Sequence, residues 1–185
     1  MSDAFRFRPS GLRWPPGAKK RPMGERLLTA LETAMLGSWA GAMAGFAFVF
    51  APIAIRIVPG LNIFAALVAA VIRGLGTLGA VCGGIAIAAA LARAIGRDAR
   101  PLAFVRIILV AISLGASAYE TSAIIPRMES AASHIPGPLD SVPKDDPRRA
   151  AYDAQHATSS RVYGIALLCV LAALALAPFG RKKAR

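Results

Sequence analysis

Only two cysteines and two histidines occur in 185 residues. Cys82 and Cys169 cannot build a disulfide scaffold, and no CxxC or Cys/His set with metal-ligand spacing is present. Both fall inside apolar runs, where a thiol behaves as a small apolar side chain. His134 and His156 lie outside those runs, which leaves an intramembrane haem without a histidine ligand. Asp153 and His156 stand three apart on a helical pattern, but two side chains do not make a metal site. Charge is scarce too, at 17% of the chain against about 25% in a soluble domain. No nucleophile motif and no phosphate loop is found: the GxG sequences lie inside apolar runs and follow no strand. The expectation is therefore no catalytic residue, no metal, no cofactor and no enzyme.

Apolar side chains are what the sequence has in excess. They make up 56% of it, and the mean hydropathy is +0.53. Such a composition excludes a disordered chain and argues against a soluble one. A helix needs about 20 apolar residues to cross the hydrocarbon core of a bilayer, and four stretches meet that length. They are about 30–55 (uncharged from Thr33 to Ile55), 61–92 (interrupted by Arg73), 102–125 (with Arg106 and Glu120) and 162–179. The fold class expected is all-α, a polytopic membrane protein with a four-transmembrane-helix bundle at 27–180. Residues 1–26 read as a disordered basic tail without the short apolar core and cleavage site of a signal peptide, and 181–185 as a second basic tail. Pro59-Gly60 marks a turn between the first two spans. In the connecting segment 126–161, residues 134–147 are turn-rich, and Asp146 before Pro147 is an N-cap followed by proline at the first helical position. A helix is predicted to start there and run into the fourth span.

The basic residues are unevenly placed. Arg6, Arg8, Arg13, Lys19, Lys20, Arg21 and Arg26 precede the first span, Arg93, Arg97 and Arg100 follow the second, and Arg181, Lys182, Lys183 and Arg185 end the chain. These fourteen of 22, against Asp3, Glu25 and Asp98, give one face a net +11; the other face nets +1. Positive charge is retained in the cytoplasm, so both termini are expected inside. The formal +12 is then a topology signal, with a secondary affinity for anionic headgroups and no role in binding nucleic acid. The alanine- and arginine-rich composition suggests a bacterial inner membrane and a multi-pass protein within it.

Four charges remain inside the spans. Each costs on the order of 3 kcal/mol if left unpaired, so pairing is expected. Alternating helix direction puts Glu32 level with Arg106 and Arg73 level with Glu120, which predicts those two ion pairs. On the third helix Arg106, Ser113, Ser117 and Glu120 fall within about 60° of one another at 100° per residue, one polar stripe that either packs or lines a wet path. On the last helix Tyr152, His156, Ser159 and Tyr163 share a face that can be laid over Glu120 and Tyr119; with Ser160 these are candidate outer-mouth residues. Gly37, Gly41 and Gly45 on the first helix, and Gly76, Gly79, Gly83 and Gly84 on the second, are small-residue stripes of the kind that let helices approach. Packing of these two helices against each other is expected, ahead of a homodimer seam.

Several landmarks resemble a known family. Trp39 and Gly41 lie ahead of FVFAP (Phe48 to Pro52). Tyr119 is followed by Ile124, Ile125, Pro126, Arg127 and Met128, and Tyr152, His156, Ser159 and Ser160 lead into the last span. Between about Ala30 and Leu176 the chain resembles the domain of unknown function 4149 (DUF4149), the transmembrane-protein-205-like family. The resemblance implies a four-span helical membrane protein of unestablished activity, with Trp39, Pro52, Pro126, His156 and Ser160 as landmarks that carry no catalytic role. The long basic N-terminal tail and the proline-rich stretch at 134–147 depart from the family's pattern.

Two function classes follow. In the first, a non-enzymatic membrane protein binds a membrane-protein partner, a second copy or lipid, and its polar residues hold the bundle together. In the second, a small permease passes a proton, ion or solute along Arg73, Arg106 and Glu120. Four helices without paired discontinuous segments are few for alternating access, which weighs toward the first.

Overall fold

The computed structural model describes residues 23–94, 101–135 and 137–177. Residues 1–22 and 178–185, where most of the basic tails and the end of the fourth span are expected, lie outside the described residues, as do Arg97 and Arg100. The described chain is helical throughout apart from short connections: α1 (Met23–Gly45), α2 (Ala51–Ile57), α3 (Leu61–Ala94), α4 (Pro101–Tyr119), α5 (Ile125–Ser133) and α6 (Pro147–Ala175). Two wide π-helical turns, Phe46–Phe50 and Glu120–Ile124, fuse α1 with α2 and α4 with α5. The result is four rods, Met23–Ile57, Leu61–Arg93, Pro101–Ser133 and Pro147–Ala175, each long and apolar enough to cross a membrane. The fold class expected from hydropathy is the one observed.

Two boundaries differ from expectation. The first helix begins at Met23, so residues 23–26 are its first turn and not tail. The third runs on past Pro126 to Ser133, as the first runs through Pro52 to Ile57, close to its expected end at 55. The cause is local. A proline in a helix loses one hydrogen bond and its ring presses on the carbonyl four residues back. One residue before each proline, the amide reaches back five positions instead of four, Ala51 N to Phe46 O and Ile125 N to Glu120 O. The widened turn removes the clash. Within the Glu120–Ile124 turn the Thr121 and Ser122 hydroxyls donate back to the carbonyls of Ser117 and Ala118 in α4, so neither hydroxyl is left unpaired.

Successive rods are antiparallel. Trp39 packs on Gly79, Leu114 on Gly83 and Thr121 on Gly76, and Ser113 donates to the carbonyl of Ala166 at 2.9 Å. The core joins Leu36, Trp39, Ala40, Met43, Cys82, Ala86, Val110, Ala166 and Val170. Its alanines suit a lipid setting, where close backbone approach drives association. Beyond Leu36, Trp39 and Met43, many large apolar residues face outward, including Leu27, Phe48, Ile108 and Leu168.

The bundle has a basal end, holding Glu32, and a loop end, holding the 134–146 connection. At the loop end Ile135, Leu139 and Tyr152 form a separate cluster with Leu61, Met128 and Val142. Asp140 accepts from the first amide of α3, Leu61 N, at 2.8 Å, and Asn62 accepts from Leu139 N at 2.9 Å, so the loop caps a neighbouring helix. Gly60 (φ +83°) and Gly137 (φ +91°) occupy left-handed conformations that only glycine adopts without strain. Asp146 caps α6 by accepting from Arg148 N at 2.8 Å, with Pro147 next.

Candidate functional site

Two polar constellations lie inside the bundle. The basal one is centred on Glu32, whose carboxylate is 2% exposed. It is paired with Arg106 of the third rod, as helix direction predicts, and also with Arg93 of the second. Arg93 further donates to Thr29 Oγ1 at 2.9 Å and to the Ala89 carbonyl. One carboxylate therefore ties three rods together at one level. Arg93 was legible only as a basic residue after the second span; the reversal between the first and second rods is what brings it back level with Glu32.

The second constellation surrounds Glu120, also 2% exposed. Glu120 is the first residue of the π-helical turn, fourteen residues from Arg106 and so roughly 21 Å higher along the rod. Ser159 of α6 donates to its Oε1. A cavity of about 10 Å³ adjoins it, lined by Trp39, Met43, Gly76, Ser117, Tyr163 and others. Tyr163 donates its hydroxyl to the Met43 carbonyl at 2.8 Å and leans on Phe46.

The expected Arg73–Glu120 pair does not form. Arg73 faces outward at 46% exposure, and its Nη2 donates to both carboxylate oxygens of Glu129 of α5, at 2.7 and 2.8 Å. The two residues are near in height, but they point away from each other. Glu120 turns into the bundle with Ser113 and Arg106, while the π-helical turn lets α5 present Glu129 to the side where Arg73 stands. The third-helix stripe is otherwise inward as predicted: Arg106, Ser113 and Glu120 are buried, and Ser117 lines the cavity.

The outer-mouth residues are not brought together. Tyr152 is in the loop cluster and Tyr163 in the cavity wall, whereas Tyr119, His156 and Ser160 are exposed. Ser160 donates back to the His156 carbonyl of its own helix. The inward face of α6 is carried by Tyr152, Ser159, Ala166 and Val170; His156 lies about 60° from Ser159 around the helix, at the margin of that face. Asp153 pairs with Arg149 one turn away. Of the second-helix glycines only Gly79 meets the first helix, under Trp39; Gly76 and Gly83 pack instead on Thr121 and Leu114 of the third rod, and Gly84, like Gly37, Gly41 and Gly45, has no atom within 4 Å of where a side chain would begin. The first helix meets the second through Trp39 and not through its glycine stripe.

Four apolar rods around a buried polar core define a multi-pass helical membrane protein. The chain belongs to the family described as Domain of unknown function (DUF4149), whose model matches residues 34–135. That range includes Trp39, Pro52, Tyr119, Glu120 and Pro126; Tyr152, His156 and Ser160 lie beyond it. Comparison with curated proteins and with solved structures returns no match.

Proposed function

We propose that the protein is a non-enzymatic, multi-pass protein of a bacterial inner membrane, with both ends cytoplasmic, that works by binding a membrane partner, a second copy or lipid. The observation that supports this reading is how the intramembrane polar groups are used. Glu32 is held by two arginines, Ser113 by the Ala166 carbonyl, Tyr163 by the Met43 carbonyl and Glu120 by Ser159. Each contact joins one rod to another, and the cavity among them, about 10 Å³, is far below the size of a solute. The basic residues near the basal end suit anionic headgroups, and the glycines of the first helix, open to the outside, suit close approach by another helix.

The second reading is a proton or ion permease, favoured by Glu120 Oε2, which is buried without a hydrogen-bond partner. Reconstitution separates the two. The binding reading expects proton and ion flux equal to that of empty liposomes, and copurification of a stoichiometric lipid or protein. Flux above that background that disappears in Glu120→Gln overturns it.

A further inference from the structure

Among the described residues and away from the Glu32 cluster, two buried side-chain atoms lack a hydrogen-bond partner: Trp39 Nε1 and Glu120 Oε2. Trp39 is fully buried and Glu120 nearly so, and they stand on different rods. Both line the same cavity. Their chemistry is complementary but not self-sufficient, because an indole N–H only donates and a carboxylate oxygen accepts. The neighbouring polar groups are engaged elsewhere: Ser159 donates to Glu120 Oε1, and the Tyr163 hydroxyl to the Met43 carbonyl. Ser117 adds a third polar group to the cavity wall.

The occupant must accept from the indole and donate to the carboxyl. A metal cation offers the indole no lone pair, and an anion offers the carboxylate no hydrogen. Water does both. A cavity of about 10 Å³ is close to the smallest that holds one water, and such a water is retained where two or more polar partners surround it. Leaving both atoms bare would forfeit their desolvation cost. We propose that this cavity is a binding site for a single water molecule that bridges Trp39 of the first rod and Glu120 of the third, with Ser117 as a further contact. The polar core at this level is hydrated, with the water as the joint between rods that share no direct polar contact there.

Tryptophan emission tests this in nanodiscs. The chain has two tryptophans, Trp14 and Trp39, so Trp14→Phe leaves Trp39 as reporter. An indole hydrogen-bonded to water gives brighter emission in D2O than in H2O. The expected result is a D2O/H2O intensity ratio above one in this background, kept in Glu120→Gln, which retains an acceptor, and lost in Glu120→Met, which does not. A ratio of one in the Trp14→Phe background overturns the proposal, as does a ratio unchanged in a helical Glu120→Met protein. The inference goes beyond the binding reading, and the flux measurement is independent of it.

Discussion

Glu32 and Arg73 are both charged residues within apolar runs, and their surroundings make them energetically unlike. Glu32 is 2% exposed between two guanidinium groups. Removing it leaves those charges facing one another in a medium that does not screen them, and breaking a buried pair from one side costs about 3–5 kcal/mol. Glu32→Ala is therefore expected to lower the unfolding free energy in micelles by about that amount. Arg73 and Glu129 are each about half exposed, where an ion pair contributes about 0–1 kcal/mol. Arg73→Ala is expected to change the same measurement by less than about 1 kcal/mol; equal losses in the two variants would refute the distinction. Asp146, outside the rods, gives a pH dependence. The Arg148 side chain and then its amide hold the Asp146 carboxyl down to about 2, from an ordinary 3.8. A depressed carboxyl supports the fold above its ordinary value and loses that support as pH falls through its folded value. The first turn of α6 should thus fray between about pH 4 and pH 2, seen as faster amide exchange at 149–151. Asp146→Asn, which keeps the cap oxygen, should remove most of that dependence.

At the scale of the element, the glycines and the π-helical turns carry the information. Gly79 lies under the Trp39 indole so closely that a Cβ would stand 2.6 Å from the ring. The ring is fully buried and cannot retreat, so Gly79→Ala is expected to cost about 1–3 kcal/mol by overpacking. At Gly41 nothing lies within 4 Å, and Gly41→Ala should be neutral or stabilising by up to about 1 kcal/mol through helix propensity. Thermal unfolding of the two variants in one detergent reads the contrast; a loss at Gly41 equal to that at Gly79 would mean that the first-helix stripe is packed after all. The turns at Phe46–Phe50 and Glu120–Ile124 explain why Pro52 and Pro126 sit inside continuous rods. Sequence reasoning treats a proline near the end of an apolar run as an exit, since its ring collides with a regular turn. A wide turn just ahead of it is a tertiary solution that no single residue announces.

The whole molecule is longer than the hydrocarbon it must cross. Rods of 29 to 35 residues reach roughly 43–52 Å against a core of roughly 30 Å. On α3, Arg73 and Arg93 are twenty residues apart, roughly 30 Å of rise. That spacing sets the Glu32 cluster near one boundary and the Arg73–Glu129 pair near the other, with the 134–146 loop beyond it. If the basal end is cytoplasmic, as the charge asymmetry predicts, a cysteine placed at exposed Asp145 in a Cys82→Ala, Cys169→Ala background should react with an impermeant thiol reagent in intact cells. Labelling only after the cells are broken open would invert the orientation.

Position along the rods was legible in the sequence, and position around them only in part: helical phase put Arg106, Ser113 and Glu120 on one inward stripe but did not name the partners it would meet. Four apolar runs of bilayer length sufficed for the number of rods, and counting residues down antiparallel helices sufficed to set Glu32 beside Arg106. Height depends only on a fixed rise per residue. The direction of a side chain around its helix depends on the neighbours that cover it and on any turn that shifts the helical phase. Only the packed bundle therefore decided that Glu120 turns inward to Ser159, that Arg73 turns outward to Glu129, that Arg93 joins Glu32, and that the second helix and not the first uses its glycines.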